Sequence, residues 1–263
     1  MALAQACTSF DASPAEDTLP DAAPSGVDGA VDDAGDSTPP ACGKPTISVR
    51  ETFESTTFPP LLWQKGANTG GTVARVTDVA HSPPASFQAE GTADAKGIEA
   101  QIEHSVDVEP ASIDLRYAVS LIIAPGAYAE VGCTIRLSRV PYGGDVTRIA
   151  LAVEQDGRLV ARPRGVLGPT EFGDRRFIFS SVEPGWYDVH EVATVTSSGV
   201  DVTMTVVAPS GVSNVVKYTT KKPSALNWVG VHCGIDTAVV AADAASVPVT
   251  AHVDDIALDI CPR

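Results

Sequence analysis

The spacing of the apolar residues constrains this chain most. From about Lys44 onward they recur with period two, in runs such as Ile98–Val106, Ile113–Ala124, Trp186–Thr196, Val200–Val207 and His252–Ile260. Period two is the signature of a strand with one buried face. Gly, Pro, Asn, Asp and Ser break these runs at short intervals, and no stretch keeps a helical period over three turns. Ten or more short strands with such spacing predict a two-sheet antiparallel sandwich of jelly-roll type. Among the predicted strands are Thr46–Phe53, Ala129–Val140, Thr147–Gln155, Arg158–Ala161 and Ala225–Gly230. Asp156-Gly157 predicts a hairpin closed by a type I′ turn, which needs positive φ at both central residues. Ser197-Ser198-Gly199 predicts a second hairpin.

Residues 1–43 read differently. Asp, Ala, Pro, Gly and Ser dominate them, and they hold eight acidic residues and no Lys or Arg. Such a segment buries too little apolar surface to offset its ordering entropy, so it is expected to be a disordered acidic tether preceding a sandwich over residues 44–263. The formal charge of the 263-residue chain is -15. Binding of nucleic-acid phosphates needs clustered Lys and Arg, so that class of partner is not expected. No apolar run approaches the roughly 20 residues that span a membrane. The Asp-rich stretch Asp28–Asp36 lacks the residue order, and the Glu, of a helix-loop-helix calcium loop.

Five cysteines punctuate the sequence: Cys7 near the start, Cys42 and Cys261 bracketing the predicted sandwich, and Cys133 and Cys233 inside it. Four cysteines allow three pairings. The expected set is Cys42–Cys261, which ties the two ends of a sandwich together, with Cys133–Cys233. In a reducing compartment the same residues would be buried thiols. The stretch Ala2–Ser9, ALAQACTS, resembles the end of a bacterial lipoprotein signal, where small residues precede a lipidated Cys; Gln5 departs from that pattern. The resemblance implies lipidation at Cys7, export, and attachment to the outer membrane or cell surface through that anchor alone.

Three further stretches resemble the concanavalin A-like sandwich superfold that includes laminin G and MAM domains. They are ETFESTTFPPLLW (residues 51–63), GWYDVHEVATVTSSGVDVTMTVV (185–207) and HVDDIALDIC (252–261). The MAM cysteine pattern near the first stretch is not reproduced, with only Cys42 nearby. Carbohydrate-binding jelly rolls share similar ends. The resemblance implies adjacent first and last strands, with Glu54, Asp254 and Asp255 as calcium ligands and Glu51 as a helper. Hard carboxylate oxygens suit that ion. Extending the phase of Ile256, Leu258 and Ile260 backwards puts Asp254 on the buried side. A buried carboxylate must be paired, hydrogen-bonded or metal-bound. The alternatives to calcium are backbone amides of residues 51–55, the Arg50 guanidinium, or simple exposure at a strand end.

Catalytic signals are sparse. The clustered acids of sandwich glycoside hydrolases are missing. Asp188 and His190 share a face in WYDVHEV beside Glu191, but Thr194 stands where a zinc-protease helix would need His. No nucleophile elbow or phosphate loop is present. The aromatics Trp63, Trp186, Trp228, Tyr187 and Tyr218 read as core anchors. Tyr142, in the Gly-rich loop RVPYGGD, reads as the best exposed sugar platform. The expected function is non-catalytic binding of glycan or surface protein; the alternatives are a structural surface protein without a dedicated ligand and, third, a carbohydrate-active enzyme.

Overall fold

The structure is a computed structural model that describes residues 47–139, 146–164 and 175–263. Among them are fifteen strands and no helix: β1 (Ile47–Glu51), β2 (Gln64–Lys65), β3 (Gly71–Val76), β4 (Ser86–Ala93), β5 (Ile98–Val106), β6 (Pro110–Ile123), β7 (Ala127–Ser138), β8 (Thr147–Val153), β9 (Leu159–Arg164), β10 (Arg176–Phe179), β11 (Trp186–Val195), β12 (Val200–Val207), β13 (Ser213–Thr220), β14 (Trp228–Val240) and β15 (Val247–Pro262). They form two antiparallel sheets. The eight-stranded sheet runs β13-β12-β11-β6-β15-β4-β3, with β1 also on β15; the seven-stranded sheet runs β10-β9-β8-β7-β14-β5-β2. This is the two-sheet jelly-roll sandwich that the alternation predicts.

The core lies between the sheets and is built from every second residue. Leu115, Tyr117, Val119 and Leu121 of β6 pack with Val131, Cys133, Ile135 and Leu137 of β7 and Val229, Val231, Cys233 and Ile235 of β14. Burying each such aliphatic side chain is worth about 1.5–3 kcal/mol. Cys133 and Cys233 face each other in register on β7 and β14 and form a disulfide, as expected. Cys261 is also disulfide-bonded. Its expected partner Cys42, like Cys7 and Tyr142, lies outside the described residues.

First and last strands are neighbours: Ile47 pairs with Ile260 and Glu51 with Ile256. The long β15 has two partners along one edge, β4 for Val247–Val253 and β1 for Ile256–Ile260. Between these two lies a bulge, where the pairing with β6 slips by one residue across Asp254–Ala257. Asp255 takes the left-handed conformation, φ +50°. The bulge overturns the phase argument for Asp254. Val249, Ala251 and Val253 face the core before it, and Ile256, Leu258 and Ile260 after it. Alternation places Asp254 with Thr250 and His252 on the opposite face.

Two other expectations need correction. The strand predicted as Ala225–Gly230 starts at Trp228 and continues to Val240. Its Gly, His and Asp residues interrupted the apolar signal without interrupting the strand. The hairpin at Asp156-Gly157 exists, but only Gly157 has positive φ, +83°. Gly157 N donates to Glu154 O at 2.8 Å and Glu154 N to Arg158 O at 2.9 Å. This is a three-residue loop with Gly at the left-handed position, not a type I′ turn.

Candidate functional site

The sandwich has two outward faces, and both carry ionisable groups. On the eight-stranded sheet, the Asp254 carboxylate fills the gap between β4 and β1. Its Oδ2 accepts hydrogen bonds from the backbone amides of His81 (3.0 Å) and Ser82 (2.9 Å), and its Oδ1 accepts one from Asp255 N (2.9 Å). The donors belong to His81, Ser82 and Asp255, not to residues 51–55 or Arg50. Burial pushes the Asp254 carboxyl above its ordinary value, and the amides of Ser82, Asp255 and His81 pull it back. Asp255 Oδ2 takes the Ser82 hydroxyl at 2.6 Å and lies 2.8 Å from His81 Nδ1; His81 Nε2 is 3.5 Å from Asp188 Oδ1. The Trp186 ring meets His81 edge-on with centroids 5.5 Å apart. Arg116, Asp188, His190, Thr205 and Asp255 line a groove of about 300 Å³ beside this cluster. Asp188 and His190 therefore share a face as predicted, while Glu191 points inward and is fully buried.

Of the expected calcium ligands, Asp254 and Asp255 lie close to the helper Glu51, whose carboxyl is raised by burial and, to a lesser degree, by the Asp254 charge. Asp254 and Asp255 are adjacent, Glu51 is tied to Phe53 N at 2.7 Å, and Glu54 is exposed. Among the described residues no three carboxylate, imidazole or thiol groups stand as a metal-ligand set.

The outward face of the seven-stranded sheet is more densely polar, and sequence reasoning missed it. Register puts Gln64 of β2, Glu103 of β5, His232 of β14 and Thr134 of β7 in one row across four strands. Gln64 Nε2 donates to Glu103 Oε1. His232 Nδ1 is 3.2 Å from Gln101 Oε1, and its Nε2 is 3.8 Å from Glu103 Oε2. Burial, then the neighbouring Arg136 charge, pushes the His232 imidazole down to about 3, so it is neutral at physiological pH. Beside this row Asp236 pairs with Arg136, and with Arg148 at 3.6 Å. Burial alone would raise the Asp236 carboxyl, but the two guanidiniums overcome it and hold the group below its ordinary value. Burial and Asp236 push Glu99 upward.

Further along, Tyr128 OH donates to Glu130 Oε1 at 2.6 Å, and the Arg162 guanidinium stacks 4.5 Å above the Tyr128 ring. Arg162 also meets Glu154 at 3.4 Å. At the other end Trp228 lies flat across Gly230, where a Cβ would overlap its ring. Trp63 is buried, as read from its sequence, and packs against His104 with centroids 5.8 Å apart. The signal for this face was period two in the polar residues: Glu99, Gln101 and Glu103 alternate with Ile98, Ala100 and Ile102, and Glu130, Thr134, Arg136 and Ser138 lie opposite the core side of β7.

No protein-family model matches the chain, and no curated protein matches it. Solved structures do. A marine PL-14 alginate lyase from Aplysia kurodai superposes with a TM-score of 0.60 at 9% identity, over 83% of this chain and 100% of that one. An endo-β-1,4-glucuronan lyase from the fungus Trichoderma reesei gives 0.55 at 11% identity, over 83% and 96%. The likeness is one of fold: this chain shares their β-sandwich.

Proposed function

We propose that this protein binds a glycan through the outward face of the seven-stranded sheet. The row Gln64–Glu103–His232–Thr134 carries this reading, with Gln64 exposed, the other three buried, and Arg136 and Arg148 half-buried beside it. It sets an amide, a carboxylate, a neutral imidazole and a hydroxyl side by side, flanked by Arg136. Sugar hydroxyls both donate and accept, so polar groups of this kind suit them. Two structures of the same fold are named for enzymes acting on polysaccharides, which supports a glycan as the ligand. A panel of polysaccharides tested by affinity electrophoresis with the full chain decides. Glu103→Gln is expected to weaken retention, while Asp188→Asn on the other sheet leaves it unchanged. Retention by no polymer would leave a structural surface protein, or one that binds another protein, as the better reading.

Cleavage of the bound glycan is a second reading, since the face also holds a phenol at Tyr128 and guanidiniums at Arg136 and Arg148. The low proton affinity of His232 weighs against it, because a general base works best near the operating pH. Ultraviolet-absorbing unsaturated products from a uronate polymer would overturn the non-catalytic reading. Export fits the Cys133–Cys233 disulfide, which persists in oxidising compartments. Lipidation of Cys7 would tether the sandwich to the outer membrane or cell surface. Incorporation of labelled fatty acid, lost in Cys7→Ser, tests the anchor.

A further inference from the structure

A second cavity, of about 330 Å³, opens at the end of the sandwich where β7 leaves the seven-stranded sheet. It is lined by Glu109, Arg139, Val195, Lys222, Ser224 and Asn227 among others. Its charges are unevenly matched. Glu109 is the one carboxylate among the described lining residues, and Arg263 already engages it, with Nη1 3.3 Å from Oε1. Lys222 Nζ donates to the carbonyl of Thr196 at 3.2 Å, which leaves its charge uncompensated. Arg139 is exposed, and among the described residues neither it nor Lys222 has a carboxylate partner. Two uncompensated cations thus share one cavity in a chain whose net charge is -15.

Its location links the cavity to the polar face. Asn227 N donates to Ser138 O at 3.2 Å, and the next residue, Trp228, pairs with Ser138 and begins the outward face of β14. The cavity therefore adjoins the end of that face, and a polymer held on the face would bring its next residues to it. A guanidinium presents a planar fork that matches a carboxylate or sulfate, and an ammonium adds a point charge.

We infer that this cavity is a subsite for an anionic substituent, so that the glycan held by the adjacent sheet is an acidic one bearing carboxylate or sulfate groups. This rests on the glycan-binding reading above. The test compares the full chain with Arg139→Gln, Lys222→Ala and the double variant on three polymers of like backbone: neutral, carboxylated and sulfated. Lys217→Ala, on β13, controls for net charge. The wild type is expected to prefer an acidic polymer, with affinity falling as salt rises. Each cavity variant is expected to lose roughly tenfold for that polymer, about 1.4 kcal/mol, and nothing for the neutral one. Comparing the carboxylated and sulfated arms identifies the substituent. Among the described residues Arg139→Gln removes no hydrogen bond, and Arg139 is exposed, so the variant is expected to fold. Equal affinity for neutral and acidic polymers, or unchanged affinity in the variants, would overturn the subsite while leaving glycan binding intact. Failure to bind all three would overturn glycan binding itself.

Discussion

Glu191 gives the sharpest test of the physics of this fold. It sits on β11 between core residues, opposite Leu115 on β6 and Met204 on β12, and is fully buried. Oε1 accepts the Tyr117 hydroxyl at 2.9 Å, while Oε2 has no hydrogen-bond partner among the described residues. Burial raises its carboxyl from an ordinary 4.5 to about 8, against the lowering effect of the Tyr117 hydrogen bond. Below about pH 4.5 folded and unfolded chains both carry the proton, so Glu191 costs nothing by ionisation. Between 4.5 and about 8 the unfolded chain releases the proton and the folded chain keeps it. Stability therefore falls with rising pH by about 1.4 kcal/mol per pH unit, and levels off once the folded carboxyl ionises too. Over that interval the loss is about 5 kcal/mol, a large share of a domain's ordinary stability. In Glu191→Gln the amide oxygen still accepts from Tyr117 and nothing ionises. Urea unfolding followed by tryptophan fluorescence at pH 5, 7 and 9 measures the difference. The variant is expected to gain on the wild type from pH 5 to about 8 and to hold that gain at pH 9, since every other titrating group is common to both. Parallel pH profiles would refute a protonated Glu191.

Other expectations follow from the same structure. Asp254→Ala leaves three amides without their acceptor and is expected to cost about 3 kcal/mol or more in thermal or urea unfolding, because an unmet buried donor loses its full desolvation energy. Asp254→Asn should cost less, since an amide oxygen can still accept. Replacing Cys133 and Cys233 together opens a loop closed over 100 residues, and the chain-entropy model gives a loss of roughly 4.7 kcal/mol on denaturation without reductant. Gly230→Ala would drive its methyl into the buried Trp228 ring, so the melting temperature should fall and intrinsic fluorescence shift.

The architecture was legible in the sequence because the core residues of most strands obey strict alternation. Ile98–Val106 and Val200–Val207 have the boundaries read from their pattern alone. The candidate site was less legible for a related reason. Attention to apolar period two hides the complementary polar set, and Glu99, Gln101 and Glu103 look like interruptions in a strand when they are its other face. β14 suffered most. After Trp228 its outward side continues with Gly230 and His232, and Gly234 and Asp236 follow, so every second residue there lacks an apolar signal, and its far end was lost.

Bulges account for what alternation could not supply. At Asp236 the pairing of β14 slips by one residue against both β7 and β5, and this extra residue is the acid that Arg136 and Arg148 engage. At Asp254–Ala257 the same device moves β15 from one phase to the other, and the acids at the switch are those that hold His81 and Ser82. A bulge twists the strand and re-aims its side chains. Both slips coincide with a carboxylate needed off the regular lattice, one for guanidiniums and one for backbone amides. The apparent misplacement of Asp254 in its strand was therefore the sequence trace of the bulge itself. In an alternating strand, an acid that falls in the apolar phase marks where the phase changes before it marks a metal ligand.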